Sequence, residues 1–171
     1  IQRWSQKGRL SLWDPAYDGG VREDLIELGG WLGDAETVAG ISALLYASGR
    51  LAGQPHLQET GQLAFESLIV TTLVVELIKR LVDRQRPSGR GVDHAWGPRY
   101  TASSGHSFPS GHAAAAFALA RVLARQYPES GWVAPLAYSL ATLTAVSRVA
   151  ENRHWTSDVV VGACLGMLFF F

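Results

Sequence analysis

Five stretches of the chain contain no charged side chain: residues 37–49, 67–75, 113–120, 130–147 and 159–171. With their flanking residues, several reach the ~20 residues a helix needs to cross a bilayer. Burying that many apolar helices in a soluble domain would take amphipathic helices to wrap them, and the sequence offers few. The chain therefore reads as an all-α, integral-membrane helical bundle of about five or six transmembrane helices. A soluble domain with buried helices is the alternative, kept open by a mean hydropathy close to zero. With 171 residues and a formal net charge of zero, the chain reads as a single domain, 1–171, without the positive surplus that bulk nucleic-acid binding requires. One cysteine, Cys164, supplies neither a disulfide framework nor a cysteine metal cluster.

Residues 1–34 are polar and turn-rich, with Asp14-Pro15 and two Gly-Gly pairs, and read as an extramembrane segment holding one possible helix, Val21 to Leu28. A first span is expected from about Ala35 to Leu51, a turn at Gly53-Gln54-Pro55, and a second span from about Leu63 to Val82. A loop from Asp83 to Phe108 follows, long enough to be functional. A third helix begins at Ser110, a good N-cap, and runs to Arg125; a fourth covers Trp132 to Val149; a fifth starts near Thr156. The chain opens on Ile1 and stops within Phe169-Phe170-Phe171, so a segment of a longer protein, with more helix beyond each end, is the expectation.

Successive spans reverse direction, and this brings three short strings to one membrane face. Lys79 and Arg86-Pro87 leave the second span, Pro109-Ser110-Gly111-His112 opens the third, Ser147-Arg148 closes the fourth, and His154 and Asp158 open the fifth. Residues 1–34 fall on the same face. A phosphoryl group in transfer spreads negative charge over its peripheral oxygens and needs several fixed donors. Lys79, Arg86 and Arg148 are suitable cations, and an arginine can hold two oxygens at once. Ser110 stands at a helix start, where free amides and the dipole favour an anion, and Gly111 lets backbone approach closely. His112 follows in the first turn. Four residues separate His154 from Asp158, one helical turn, so the carboxylate can hold one ring nitrogen and leave the other free to attack.

Each assignment has a plainer counterpart. Lys79, Arg80, Arg84 and Arg86 read alone as an anchor for lipid headgroups. Ser110 alone is a helix cap, and His154 with Asp158 is a structural hydrogen bond, or part of a metal site completed by His112. The metal reading would set three cations beside a fourth, which electrostatics disfavours. His94 and His106 read as surface residues. Trp13, Trp31, Trp96 and Trp155 fall on the site face as an interfacial belt would place them, or line a lipid entrance. Gly162 and Gly166 form a small-xxx-small pair, a seam within the bundle or, second, a dimer contact. Glu76 is placed to pair with Lys79 or Arg80.

Together the three strings resemble the signature motifs of the phosphatidic acid phosphatase type 2 superfamily, with no departure between Lys79 and Asp158. The resemblance implies a metal-independent phosphatase with no cofactor, in a helical bundle with its active site at one membrane face. By that analogy His154 is the nucleophile that forms a phosphohistidine, and Asp158 orients it. His112 protonates the leaving oxygen and later activates water. Lys79, Arg86, Arg148, Ser110 and the amide of Gly111 hold the phosphate.

The substrate implied is a lipid phosphomonoester or diphosphate whose tail stays in the bilayer. Phosphatidate, phosphatidylglycerophosphate, an isoprenoid diphosphate and a lipid A-type phosphate all remain open. Vanadium-dependent haloperoxidases share such a site and are one alternative; a catalytically silent lipid-binding or transport protein is another, against which intact His112, His154 and Asp158 argue. Six positive residues between Lys79 and Arg99 would put the site in the cytoplasm by the positive-inside rule. Phosphate binding accounts for at least two of them, and the resemblance implies a bacterial inner (cell) membrane protein whose site faces the periplasm or exterior.

Overall fold

The structure, a computed structural model, describes residues 19–87 and 106–169, and these form six helices: α1 (Gly19–Leu32), α2 (Ala35–Leu51), α3 (Pro55–Val82), α4 (Gly111–Gln126), α5 (Val133–Ala150) and α6 (Thr156–Leu168). Among the described residues there is no strand. The expected spans are all present, with two extended. α1 is longer than Val21 to Leu28, and α3 begins at Pro55 instead of near Leu63. The added first turns of α3 are polar, so hydropathy does not register them. Pro55 is pre-set for the first helical turn, and Gly61 brings these turns so close to α2 that a Cβ there would lie 2.3 Å from the Tyr46 amide nitrogen.

Local chemistry sets the helix ends. Gly53 takes φ of 64° between α2 and α3, a conformation that costs glycine little. Asp83 closes α3 in the left-handed region, its N–H donating to Lys79 O at 3.0 Å. Ser110 caps α4, its Oγ accepting from the Ala113 N–H at 3.4 Å.

α4 is the central helix, packed against α2, α3, α5 and α6. It can be central because it is thin: Ala113 to Ala116, Ala118 and Ala120 are all buried. α6 meets it through Gly162 and Gly166, where an added Cβ would fall 2.4 Å from Ser110 O and 2.2 Å from Ala114 O. The small-xxx-small pair is thus a seam within the bundle, the close approach that such residues permit.

The outside of the bundle is apolar. Phe65, Ile69, Leu73, Leu77 and Leu81 recur every fourth residue along α3 and are all exposed, as are Leu44 and Leu51 on α2 and Leu136 and Leu140 on α5. In water that surface would be costly; in lipid it is the matching solvent. α3 and α5 are long and apolar enough to cross a membrane.

The α4–α6 seam gives a stability test. Gly166→Leu should destabilise the bundle by about 2 kcal/mol, since the clash is with α4 backbone. Gly40→Ala, on α2 with nothing within 4 Å of the new methyl, should stabilise it by about 1 kcal/mol. Thermal unfolding in detergent reads both.

Candidate active site

At the end of the bundle where α3 and α5 finish and α4 and α6 begin, a cleft of 560 Å³ opens. Lys79, Arg86, Gly111, His112, Arg148 and His154 all line it. The three sequence strings therefore do converge. The opposite wall comes from α1 and the turn after it, through Glu23, Ile26, Glu27, Gly30, Trp31 and Asp34.

The cations are held in place before any ligand arrives. Lys79, in the last turn of α3, donates to Glu76 Oε1 at 3.0 Å, and its Nζ lies 3.4 Å from where a Cβ on Gly111 would stand. Arg148 closes α5 and is only 6% exposed. Its Nε donates to Ser147 Oγ at 3.2 Å and its Nη2 to Glu151 Oε1 at 3.0 Å, while Glu151 also binds Arg153 at 3.2 Å. The guanidinium reaches α1 at Gly30, where a Cβ would be 2.1 Å from Nη2. Ser110 is fully buried and acts as the cap of α4, so of the Ser-Gly-His string it is Gly111 and His112 that reach the cleft.

The pair His154 and Asp158 departs from the expected geometry. α6 starts at Thr156, so His154 precedes the helix and the four-residue spacing does not put the two side chains on one helical face. His154 Nδ1 lies 3.7 Å from Asp158 Oδ2 and 2.7 Å from the carbonyl oxygen of Ser107. A carbonyl only accepts, so Nδ1 carries the proton and Nε2 the lone pair. Asp158, with no exposure, takes other partners. Its Oδ2 accepts from Ser107 Oγ at 2.5 Å and from the Trp155 N–H at 2.9 Å, and its Oδ1 accepts from Arg84 Nη1. Arg84 Nη1 also donates to Ser157 Oγ at 2.7 Å, and the guanidinium sits 5.3 Å from the Trp155 ring centroid.

Arg84 is thus not a headgroup anchor: it is 4% exposed and ion-paired in the interior. Arg84, Ser107 and Gly30 are the site residues that sequence reasoning missed. Nothing in the local pattern separates Arg84 from its basic neighbours; Ser107, two residues before Pro109, was visible only as part of a long loop. Trp155 is partly buried and donates from Nε1 to Gln85 O at 2.9 Å, whereas Trp31 is exposed on the cleft wall. His106 is exposed, as expected of a surface residue. His94, Trp13 and Trp96 lie outside the described residues. Among the described residues no three His, Cys, Asp or Glu side chains are grouped to hold a metal ion.

Both the sequence and the fold have known relatives. The profile of the PAP2 superfamily matches residues 62–171, from α3 to the end of the chain. A lipid A 1-phosphatase of Rhizobium etli is 30% identical over 164 residues, 86% of this chain and 68% of that protein. A lipid A 1-phosphatase of Porphyromonas gingivalis is 43% identical over 67 residues, 39% of this chain and 15% of that one. A decaprenylphosphoryl-5-phosphoribose phosphatase of Mycobacterium tuberculosis is 40% identical over 98 residues, 57% of this chain and 50% of that one. The chain spans half or less of the length of the last two. Among solved structures, LpxE of Aquifex aeolicus superposes with a TM-score of 0.68 at 21% identity, over 90% of this chain and 85% of that one. A transmembrane PAP2-type phosphatidylglycerolphosphate phosphatase of Bacillus subtilis gives 0.51 at 23% identity, over 89% and 83%.

The chain belongs to the PAP2 superfamily. Its fold is that of the family's helical membrane proteins, which accounts for the apolar exterior.

The contact between Gly30 and Arg148 can be tested on its own. In Gly30→Ala the new methyl meets the flexible end of a side chain, so the bundle should fold normally while the guanidinium is displaced. Orthovanadate binding should weaken about tenfold, the equivalent of one charge-assisted hydrogen bond, with thermal unfolding unchanged.

Proposed function

We propose that the protein is a metal-independent membrane phosphatase that removes phosphate from a lipid through a phosphohistidine on His154. The observation that carries this reading is the His154 ring. Its Nδ1–H is tied to a buried carbonyl at 2.7 Å, which leaves the Nε2 lone pair as the nucleophile in a cleft also lined by Lys79, Arg86 and Arg148.

In the first step Nε2 attacks phosphorus and the bond to the lipid oxygen breaks, with His112 giving that oxygen its proton. Water then attacks phosphorus, His112 takes the water's proton, and the P–N bond breaks to release inorganic phosphate. Lys79, Arg86, Arg148 and the Gly111 amide stabilise the charge that develops on the peripheral oxygens, with Ser110 holding the first turn of α4 in shape.

A lipid substrate fits because apolar surface runs along α3 up to Leu77 and Leu81, beside Lys79. The tail stays in the bilayer while the headgroup enters the cleft. The relatives' names put lipid A-type and polyprenyl-linked phosphates first among candidates. The same proposal takes 1–171 as one domain, since α1 walls the cleft built by the family-matched helices. It also puts the protein in a bacterial inner membrane with the site facing the periplasm or exterior. The positive charge that would argue for the cytoplasm is occupied otherwise: Lys79 and Arg86 at the cleft, Arg84 with Asp158.

Phosphate release from a panel of lipid phosphates and one soluble ester, by detergent-purified protein, tests the proposal. We expect preference for a lipid, full activity in chelator and inhibition by orthovanadate. His154→Ala should fold and lose at least about three orders of magnitude in kcat. Retained activity in that variant, or a requirement for a divalent metal, would overturn the mechanism.

A further inference from the structure

We infer that Ser107 and Arg84 are positioning residues for His154, fixing both the carbonyl that aims the ring and the Asp158 carboxylate that lies beside it. The inference rests on the phosphohistidine reading above and adds to it the means by which the ring is held.

The distances assign the order of contacts. Nδ1 is 2.7 Å from the Ser107 carbonyl, a hydrogen bond, and 3.7 Å from Asp158 Oδ2, within ion-pair reach once the ring is charged. Ser107 in turn has two tethers. Its N–H donates to the main-chain carbonyl of Arg84 at 2.9 Å, and its Oγ donates to Asp158 Oδ2 at 2.5 Å. Arg84 therefore acts at both ends, through its backbone on Ser107 and through its guanidinium on Asp158 Oδ1. The Trp155 N–H, at 2.9 Å, completes the shell of the carboxylate. Of these residues only His154 lines the cleft.

This order divides the work. The Ser107 carbonyl sets the tautomer and the aim of the ring. Asp158, with Oδ2 3.7 Å from Nδ1, supplies negative charge as the imidazole gains positive charge on bonding to phosphorus. Arg84 pairs with that carboxylate where water does not reach, so the buried charge is not left without a partner.

Ser107→Ala keeps the carbonyl and removes its side-chain tether. It should lower kcat about 10–100-fold, the usual cost of releasing a residue that orients an imidazole, with KM and the inhibition constant for inorganic phosphate within about twofold of wild type. Ser107→Thr, which keeps the hydroxyl, should recover most of the loss. Arg84→Met combined with Asp158→Asn removes both buried charges, so neither is stranded; it should fold, keep its affinity for inorganic phosphate and show at least the same fall in kcat. Wild-type kcat in both Ser107→Ala and the double variant overturns the inference. So does a loss of inorganic phosphate affinity equal to the loss in kcat, which would mean that the site has collapsed or that these residues touch the phosphate. Turnover by His154→Ala would fail the phosphohistidine reading itself, a result distinct from either.

Discussion

A carboxylate sealed from water in the first turn of α6 ties together the parts of this molecule that sequence keeps apart. Asp158 receives Arg84 from the exit of α3, Ser107 from the approach to α4 and the Trp155 N–H at the start of its own helix. Burying an ion costs several kcal/mol unless partners surround it, so the carboxylate is tolerable only when all three segments are in place. The dipole of α6 favours the same charge at the same point. Convergence of three helix ends on one anion is what makes a cleft there.

Around that fixed point the bundle is held by closeness of packing. When the solvent outside the helices is as apolar as the core, expelling side chains from it gains little, and contact between backbones does more. The alanines of α4 and the glycines of α6 permit that contact. Small side chains at the seam and large ones on the outside are the reverse of a water-soluble helical protein.

The cleft separates its cations by function. Lys79 and Arg148 are each paired with a glutamate at the rim, at 3.0 Å in both cases, so their charge is available to an anion that displaces or shares the partner. Arg84, buried against Asp158, is withdrawn from the ligand. α1 adds no phosphate-binding cation to the cleft, yet its close passage at Gly30 sets where the Arg148 guanidinium can lie.

Much of this was legible in the residues. Uncharged stretches marked the helices, Ser110 and Pro55 marked ends, and counting reversals put Lys79, Arg86, His112, Arg148 and His154 at one face. Those features are local: they depend on hydropathy, on capping and on the alternation of direction along the chain. Three matters were not local, and only the tertiary structure decided them. The spacing of His154 and Asp158 looked helical, but α6 begins between them, and the ring turned to a carbonyl from a distant segment. Arg84 was indistinguishable from its basic neighbours until its burial against Asp158 was seen, and α1 looked like a surface segment until Gly30 was found beneath Arg148. Sequence alone determined which stretches are apolar enough to lie in the membrane and which residues gather at its surface, because solvent matching acts on each residue by itself. Which of the gathered groups bond to one another was left to packing, because a hydrogen bond depends on the positions of two segments at once.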